Sequence, residues 1–181
     1  YHALYGATTQ RAVLNFPVSG KSVSRSIIYA FALLKQAAAN ANARLKLLDK
    51  ERAGLIVDAC EEIMIALDDP TRSEGMMQHF PVDVYQTGSG TSTNMNVNEV
   101  ISNIACKAAG SKIGAKDPVH PNDHVNMGQS SNDTFPTAMQ LAACIELRES
   151  LLPAIKGLAK SLKVKAKKWD KIVTVGRTHL M

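Results

Sequence analysis

The sequence predicts a mainly α-helical fold, because long helical patterns dominate the chain and strand signals are few and short. Between residues 24 and 48, apolar side chains recur at alternating steps of four and three. Such spacing is typical of one face of a helix. The positions that make up this face are Ile27, Phe31, Leu34, Ala38, Ala41, Leu45 and Leu48.

The next helix is predicted to follow directly. Asp49 is a suitable N-cap residue, because its short carboxylate can accept from the first free N–H groups of a helix. The run Asp68-Asp69-Pro70 ends this helix, since the residue before a proline avoids the helical conformation. Residues 71–84 then read as a loop with an extended end. The apolar side of the helix consists of Leu55, Ile56, Ala59, Ile63 and Leu67.

Further helices are predicted in the second half of the chain. One runs from about residue 92 to 109, and Gly110 is its expected C-terminal glycine. Another starts near Asp133, where Pro136 would occupy the first turn and its missing N–H costs little. Pro153 is predicted to start one more helix.

Composition and charge are those of an ordinary globular protein. The 181 residues are 45% hydrophobic and 20% charged, with a net charge of +5. Seven lysines between Lys156 and Lys171 are expected to form a solvated helix face. Without a dense basic run interleaved with aromatic residues, nucleic acid is not an expected partner. No apolar run approaches the length of a membrane span, so a membrane is not expected either.

A glycine-rich stretch at residues 85–100 is the first candidate binding site. Gly88 and Gly90 flank Ser89, with the hydroxyls of Thr87, Thr91 and Ser92 around them. Glycines allow close approach of a ligand, and a helix start attracts anions. The alternatives are a turn that only caps a helix, or a phosphate-binding loop. No Walker lysine or Rossmann strand pattern supports the latter.

Two more polar clusters favour a binding role for the first over a simple helix cap. Residues 130–133, Ser-Ser-Asn-Asp, open a predicted helix, and Thr178-His179 follows a glycine and an arginine. Three such clusters exceed what packing requires, so we expect one small, hydrogen-bonded polyanion as the ligand. His179 has a side chain whose pKa suits proton transfer near neutral pH.

The cysteines indicate neither disulfides nor zinc. Cys60, Cys106 and Cys144 are far apart, no Cys-x-x-Cys pair exists, and no His/Cys spacing fits zinc. We expect reduced cysteines in a reducing compartment, which is the cytoplasm or, if a targeting segment preceded Tyr1, the mitochondrial matrix.

Five segments together resemble the fumarase/aspartase superfamily and, within it, the class II fumarases. The resemblance extends over the entire chain. The segments are Tyr5-Gly-Ala-Thr-Thr-Gln-Arg11, Gly88-Ser-Gly-Thr-Ser-Thr-Asn-Met-Asn-Val-Asn-Glu99, His120-Pro-Asn-Asp-His-Val-Asn126, Gln129-Ser-Ser-Asn-Asp133 and Gly176-Arg-Thr-His-Leu180.

The resemblance implies reversible hydration of fumarate to L-malate without a metal or organic cofactor. It makes His179 the catalytic residue that activates the water. It also implies that His120, Pro121, Asn122 and Asp123 form the family's second, peripheral dicarboxylate site. The residues implied to bind the substrate carboxylates are Ser89, Gly90, Thr91, Asn94, Ser130, Ser131, Asn132 and Thr178.

The resemblance also implies the domain plan and the assembly. Residues 1–129 correspond to the N-terminal domain, with short extended segments, and residues 130–181 to the beginning of the central helical bundle. The family forms homotetramers in which each active site draws on three subunits. Its later Gly-Ser-Ser loop, which carries the serine assigned as the base, is not in this sequence. The chain is therefore expected to be an N-terminal fragment that is inactive alone.

Two other functions remain open at this stage. An aspartate ammonia-lyase is the first, since residues 80–86 and 123–126 look equally aspartase-like. His120 and His179 favour the hydratase, because aspartases commonly have glutamine at the position of His179. The second is a non-catalytic helical module that uses its apolar faces only for assembly.

Overall fold

The computed structural model describes residues 3–173, 175–176 and 179. The described chain is mainly helical, which confirms the predicted fold class. It divides into two compact units, Tyr1–Ala143 and Cys144–Met181. The α-helices are α1 (Ala7–Asn15), α2 (Arg25–Arg44), α3 (Lys50–Asp68), α4 (Ser73–Met77), α5 (Thr91–Ala108), α6 (Ser131–Glu146) and α7 (Leu152–Trp169), and short π-helical segments lie at Pro121–Val125 and Leu147–Leu151.

The core of the first unit forms where α2, α3 and α5 pack against one another. Helix α5 is the most enclosed of them and is buried almost continuously from Thr93 to Cys106. Its interior positions carry many amides and hydroxyls, which must find hydrogen-bond partners because unpaired buried polar groups are costly. The largest fully buried apolar side chains of the unit are Phe31, Phe80, Ile28, Ile56, Ile63, Leu67 and Ile101.

The buried face of α2 differs from the predicted one. Of the seven predicted positions only Phe31 and Leu48 are buried, and Leu45 is 68% exposed. The actual buried face carries two polar side chains, Lys35 and Asn42. An apolar pattern cannot reveal such a face, because its polar members are buried through their hydrogen bonds.

Helix α3 follows the prediction closely. The Asp49 side chain accepts from the Arg52 N–H at 2.9 Å, which confirms the N-cap, and the helix ends at Asp68. The loop predicted for residues 71–84 contains the short helix α4, which the sequence pattern missed. Five residues are too few to show a helical period.

Asp83 holds the extended end of this loop. Its carboxylate accepts backbone N–H groups of Ser19, Gly20 and Tyr85 at 2.7–2.8 Å. These hydrogen bonds, with that from Tyr85 contributing most, lower the pKa of Asp83 to about 2. In the described residues, an isolated antiparallel bridge between Ser22 and Asp83 is the extent of β-pairing.

Glu99 joins the start of α1 to the middle of α5. Its carboxylate accepts the N–H groups of Gly6, Thr8 and Thr9 at 2.9–3.1 Å. Burial alone would raise the pKa of Glu99, but the hydrogen bonds from Thr9, Gly6 and Thr8 outweigh it and lower the pKa. The segment at residues 5–11 thus makes its polar contacts within the chain, because the acidic side chain of Glu99 lies at the positive start of α1.

Two details of the later helices correct the prediction. Helix α6 begins at Ser131, so Pro136 lies inside it and not in its first turn. Helix α5 begins and ends within one residue of the predicted bounds, and Gly110 follows with a φ of +80°. The predicted domain boundary at residues 129 and 130 falls just before α6, and it stays a prediction.

The second unit is dominated by α7. No residue of this helix is buried in the chain. The Lys165 ammonium lies 5.8 Å from the centre of the Trp169 ring. Across the described residues, no helix combines the length and apolar character needed to cross a membrane.

Candidate active site

The start of α5 is shaped by a tight turn. Gly90 precedes the helix with a left-handed φ of +69°, and its N–H donates to the Thr87 carbonyl at 2.9 Å. The Gln86 side chain accepts from the Thr93 N–H at 2.7 Å and donates to the Thr93 hydroxyl. This two-way contact holds the first helical turn in place.

Gly90 is also required because another side chain approaches its backbone. A Cβ at this position would lie 2.2 Å from the Phe135 ring. Phe135 in turn packs on Phe31, with ring centres 6.0 Å apart. The glycine therefore lets α6 reach α5 while the Phe135 ring fills the space below.

Three hydroxyls meet where α5 and α6 begin. The Thr91 hydroxyl lies 2.8 Å from that of Ser89 and 2.8 Å from that of Ser131. Ser89 and Thr91 are exposed and Ser131 is partly exposed. We call Ser89, Thr91 and Ser131 the hydroxyl cluster. It unites two of the three predicted polar segments on one surface beside two helix starts.

The other predicted residues at the start of α6 lie at the rim of this cluster. Ser130 and Asn132 are exposed, and the Ser130 hydroxyl accepts from the Asn132 N–H at 3.3 Å. The Ser130 carbonyl accepts from Thr134 N–H at 2.9 Å, which begins the helical hydrogen-bond pattern. Their side chains remain open to solvent and to a ligand.

Asn94 is placed differently from its predicted neighbours. It is 2% exposed, and its amide is already engaged with protein groups. The amide oxygen accepts from the Lys35 ammonium at 2.8 Å and from the Thr134 hydroxyl at 3.2 Å. The amide nitrogen donates to Asn126 at 3.0 Å. The structure therefore puts Asn94 beneath the hydroxyl cluster and not on its surface.

Lys35 is the central group of this buried layer and is not among the residues predicted from the sequence. Its ammonium is fully buried and donates to Asn94 at 2.8 Å, to Asn126 at 3.0 Å and to Gln129 at 2.8 Å. Burial lowers the pKa of Lys35 to about 7. A signal did exist in the sequence, since a lysine interrupts an otherwise apolar and alanine-rich helix face.

The predicted second site at residues 120–123 is a capped turn. The His120 imidazole Nδ1 accepts from the N–H groups of Asn122 at 3.3 Å and Asp123 at 3.1 Å. The Asp123 carboxylate is 3.2 Å from the same nitrogen, and that contact becomes an ion pair only when the ring is protonated. The two N–H contacts to His120 Nδ1 account for the turn. Pro121 is buried, whereas Asn122 and Asp123 are exposed.

The third predicted segment belongs to the second unit. His179 is exposed and lies in a turn. Thr178, which the resemblance assigns to the substrate, lies outside the described residues. In the described part of the chain, no group of three or more His, Cys, Asp or Glu side chains could hold a metal ion.

The fold and the site together define a class of protein. A family model described as "Lyase" matches residues 1–181. The chain therefore belongs to this lyase family.

The relatives are more specific than the family. A class II fumarate hydratase of Prochlorococcus marinus is 47% identical over 178 residues, which cover 98% of this chain and 37% of that protein. The class II fumarate hydratase 1 of Pseudomonas aeruginosa is 49% identical over 179 residues, or 99% of this chain and 37% of the relative. The chain thus spans about 37% of the length of these relatives. Its resemblance to the class II fumarases is confirmed.

Solved structures agree with the predicted fold. A fumarate lyase:delta crystallin of Brucella melitensis aligns with a TM-score of 0.88 at 38% identity, covering 99% of this chain and 40% of that one. A class II fumarase of Schistosoma mansoni aligns with the same TM-score and identity, covering 99% of this chain and 36% of that one.

Proposed function

We propose that the full-length protein catalyses the reversible hydration of fumarate to L-malate. The observation that carries this proposal is the 2.8 Å contact between the hydroxyls of Thr91 and Ser131, which joins the starts of α5 and α6. Two helix starts and their hydroxyls offer hydrogen-bond donors and partial positive charge to one small anion. The relatives named as class II fumarate hydratases support a dicarboxylate as that anion.

The reaction needs donors where negative charge develops. In the dehydration direction, a proton leaves the carbon next to a carboxylate, and the resulting carbanion places extra charge on that carboxylate. Preorganised donors stabilise such charge better than mobile water does. We assign this role to the hydroxyls of Ser89, Thr91, Ser130 and Ser131 and to the amide of Asn132. Gly90, whose N–H already donates to the Thr87 carbonyl, would shape the turn that presents them. Asn94 would support them from below.

His179 is proposed to activate the water that adds to fumarate. A neutral imidazole can accept a proton from water near neutral pH, whereas a glutamine cannot. Thr178 would bind the substrate beside it. By resemblance, the carbon-bound proton is exchanged by the serine of the family's Gly-Ser-Ser loop, which this sequence does not contain.

The turn at residues 120–123 is proposed as a peripheral dicarboxylate site. His120 lies at the start of the turn, and the exposed side chains of Asn122 and Asp123 are accessible to a ligand. The carboxylate of Asp123 would repel a dicarboxylate. We therefore expect weak binding.

A homotetramer is the proposed assembly. Helix α7 exposes a series of large apolar side chains in the single chain, and such patches mark interfaces. These apolar side chains of α7 are Ile155, Leu158, Leu162, Val164 and Trp169.

We further propose a reducing compartment, the cytoplasm, since the described cysteines are free.

The proposed reaction is tested by product analysis. The full-length enzyme is incubated with fumarate, with and without ammonium, and the products are separated by chromatography. We expect malate in both samples at equal rates and none without enzyme. Aspartate formed faster than malate in the ammonium sample would overturn the proposal in favour of an ammonia-lyase.

A further inference from the structure

We propose that Lys35 is a positioning residue: its ammonium gathers Asn94, Asn126 and Gln129 and thereby aligns the two helix starts that carry the hydroxyl cluster. This inference rests on the proposed function. Nothing in the reaction itself requires a lysine at this place. The three acceptors belong to α5 and to the turn before α6.

The first acceptor links the two helices directly. Asn94 follows Thr91 by three residues on α5, and Thr134 follows Ser131 by three residues on α6. Residues three apart lie on the same face of a helix. The 3.2 Å contact between Thr134 and Asn94 therefore repeats, one turn deeper, the 2.8 Å contact between Thr91 and Ser131. Lys35 donates to the same Asn94 oxygen at 2.8 Å.

The other two acceptors hold the chain that leads into α6. Gln129 comes directly before Ser130 and Ser131, which are predicted to bind the substrate, and it accepts from Lys35 at 2.8 Å. Asn126 accepts from Lys35 at 3.0 Å, from Asn94 at 3.0 Å and from Asn98 at 3.2 Å. One buried cation thus fixes α5, the turn before α6 and, through Thr134, α6 itself.

The ammonium form is required for this geometry. An ammonium has three N–H donors and so satisfies all three carbonyl oxygens, whereas the neutral amine would point a lone pair at one of them. The titratable neighbour of Lys35 is Cys60 of α3. Burial raises the pKa of this thiol to about 12, so the thiol is uncharged. The groups on α5 and in the turn that accept from Lys35 are neutral amides.

The test compares two Lys35 variants with a matched control in the full-length enzyme. Lys35→Met keeps the length of the side chain without the donors, and Lys35→Arg keeps a permanent charge. The control is Asn42→Leu, because Asn42 lies on the same buried face of α2. It donates to the Met127 carbonyl at 3.1 Å, in the same turn as Asn126 and Gln129, and it is not among the hydrogen-bond partners found for Asn94.

We expect Lys35→Met to lower kcat/KM for fumarate by about 10²-fold, since small displacements of positioned groups have effects of that size. Asn42→Leu should lower kcat/KM much less, because Asn42 holds the turn without linking it to α5. The wild-type kcat/KM should fall as rising pH removes the Lys35 proton, and this fall should be absent in Lys35→Arg. Unchanged activity in Lys35→Met, or an equal loss in Asn42→Leu, would overturn the proposal.

A second readout does not depend on the reaction. Amide hydrogen exchange at residues 133 and 134 should be at least about tenfold faster in Lys35→Met, because hydrogen bonds to a charged group are lost. The increase there should be much smaller in Asn42→Leu. If the wild type fails to hydrate fumarate, the proposed function fails, and exchange still decides the role of Lys35. If Lys35→Met does not fold, the Arg variant decides, and a pH profile identical to the wild type refutes the proposal.

Discussion

Replacing His179 by asparagine in the full-length enzyme is expected to lower kcat by about 10²–10⁴-fold, the usual range for loss of a general acid or base. Asparagine can hydrogen-bond but cannot take a proton from water near neutral pH. Because His179 is exposed in this chain, the substitution should cost little folding stability. Steady-state kinetics with fumarate should show the loss in kcat, with KM close to that of the wild type.

His120→Asn is the matched control for this prediction. The His120 ring accepts from the N–H groups of Asn122 and Asp123, and an asparagine oxygen can accept at the same place as an N-cap. The turn should therefore survive and kcat should stay close to wild type. Equal losses in the two variants would show that the catalytic and peripheral sites have been separated wrongly.

Gly90→Ala is expected to have the largest effect on stability, with a loss of about 2–5 kcal/mol in the free energy of unfolding. Two costs add at this position. The φ of +69° disfavours any Cβ, and the added methyl would lie 2.2 Å from the Phe135 ring. Urea unfolding measures the sum, and fumarate hydration should fall with it because Thr91 is the next residue.

Gly20→Ala separates these two costs. Gly20 has the same φ of +69°, but a Cβ there would meet nothing within 4 Å. We expect only the conformational part, about 1–2 kcal/mol, and full activity. Should the two alanine variants lose equal stability, close packing of Phe135 on Gly90 could not be the reason for the glycine.

The existence of the helices could be predicted because their periods are long and their ends carry clear chemistry. Asp49 caps α3 as expected, and α5 ends before Gly110. The orientation of α2 could not be predicted from apolar spacing, because Lys35 and Asn42 occupy its buried face. Only tertiary contacts supply the acceptors that make such burial possible.

The residue types of the candidate site could be predicted more easily than which of these residues are buried and which are exposed. Hydroxyls beside glycines predicted Ser89 and Thr91, the Ser-Ser-Asn-Asp run predicted Ser131, and the structure brings the three together. The sequence could not distinguish Asn94 from them, since a buried and an exposed asparagine look alike. The sequence pattern predicts Glu99 as part of a ligand-binding segment, but its carboxylate accepts hydrogen bonds from the start of α1.

The central claim is that the hydroxyl cluster binds the substrate, and kcat/KM of Thr91→Val tests it most directly. Valine keeps the branched shape of threonine and has a methyl group in place of the hydroxyl. Loss of one hydrogen bond to a charged group should lower kcat/KM for fumarate by about 10–100-fold. The control is Thr8→Val, since Thr8 is an exposed threonine in the first turn of α1. We predict a loss in Thr91→Val alone; wild-type kcat/KM in that variant, or an equal loss in Thr8→Val, would contradict the claim.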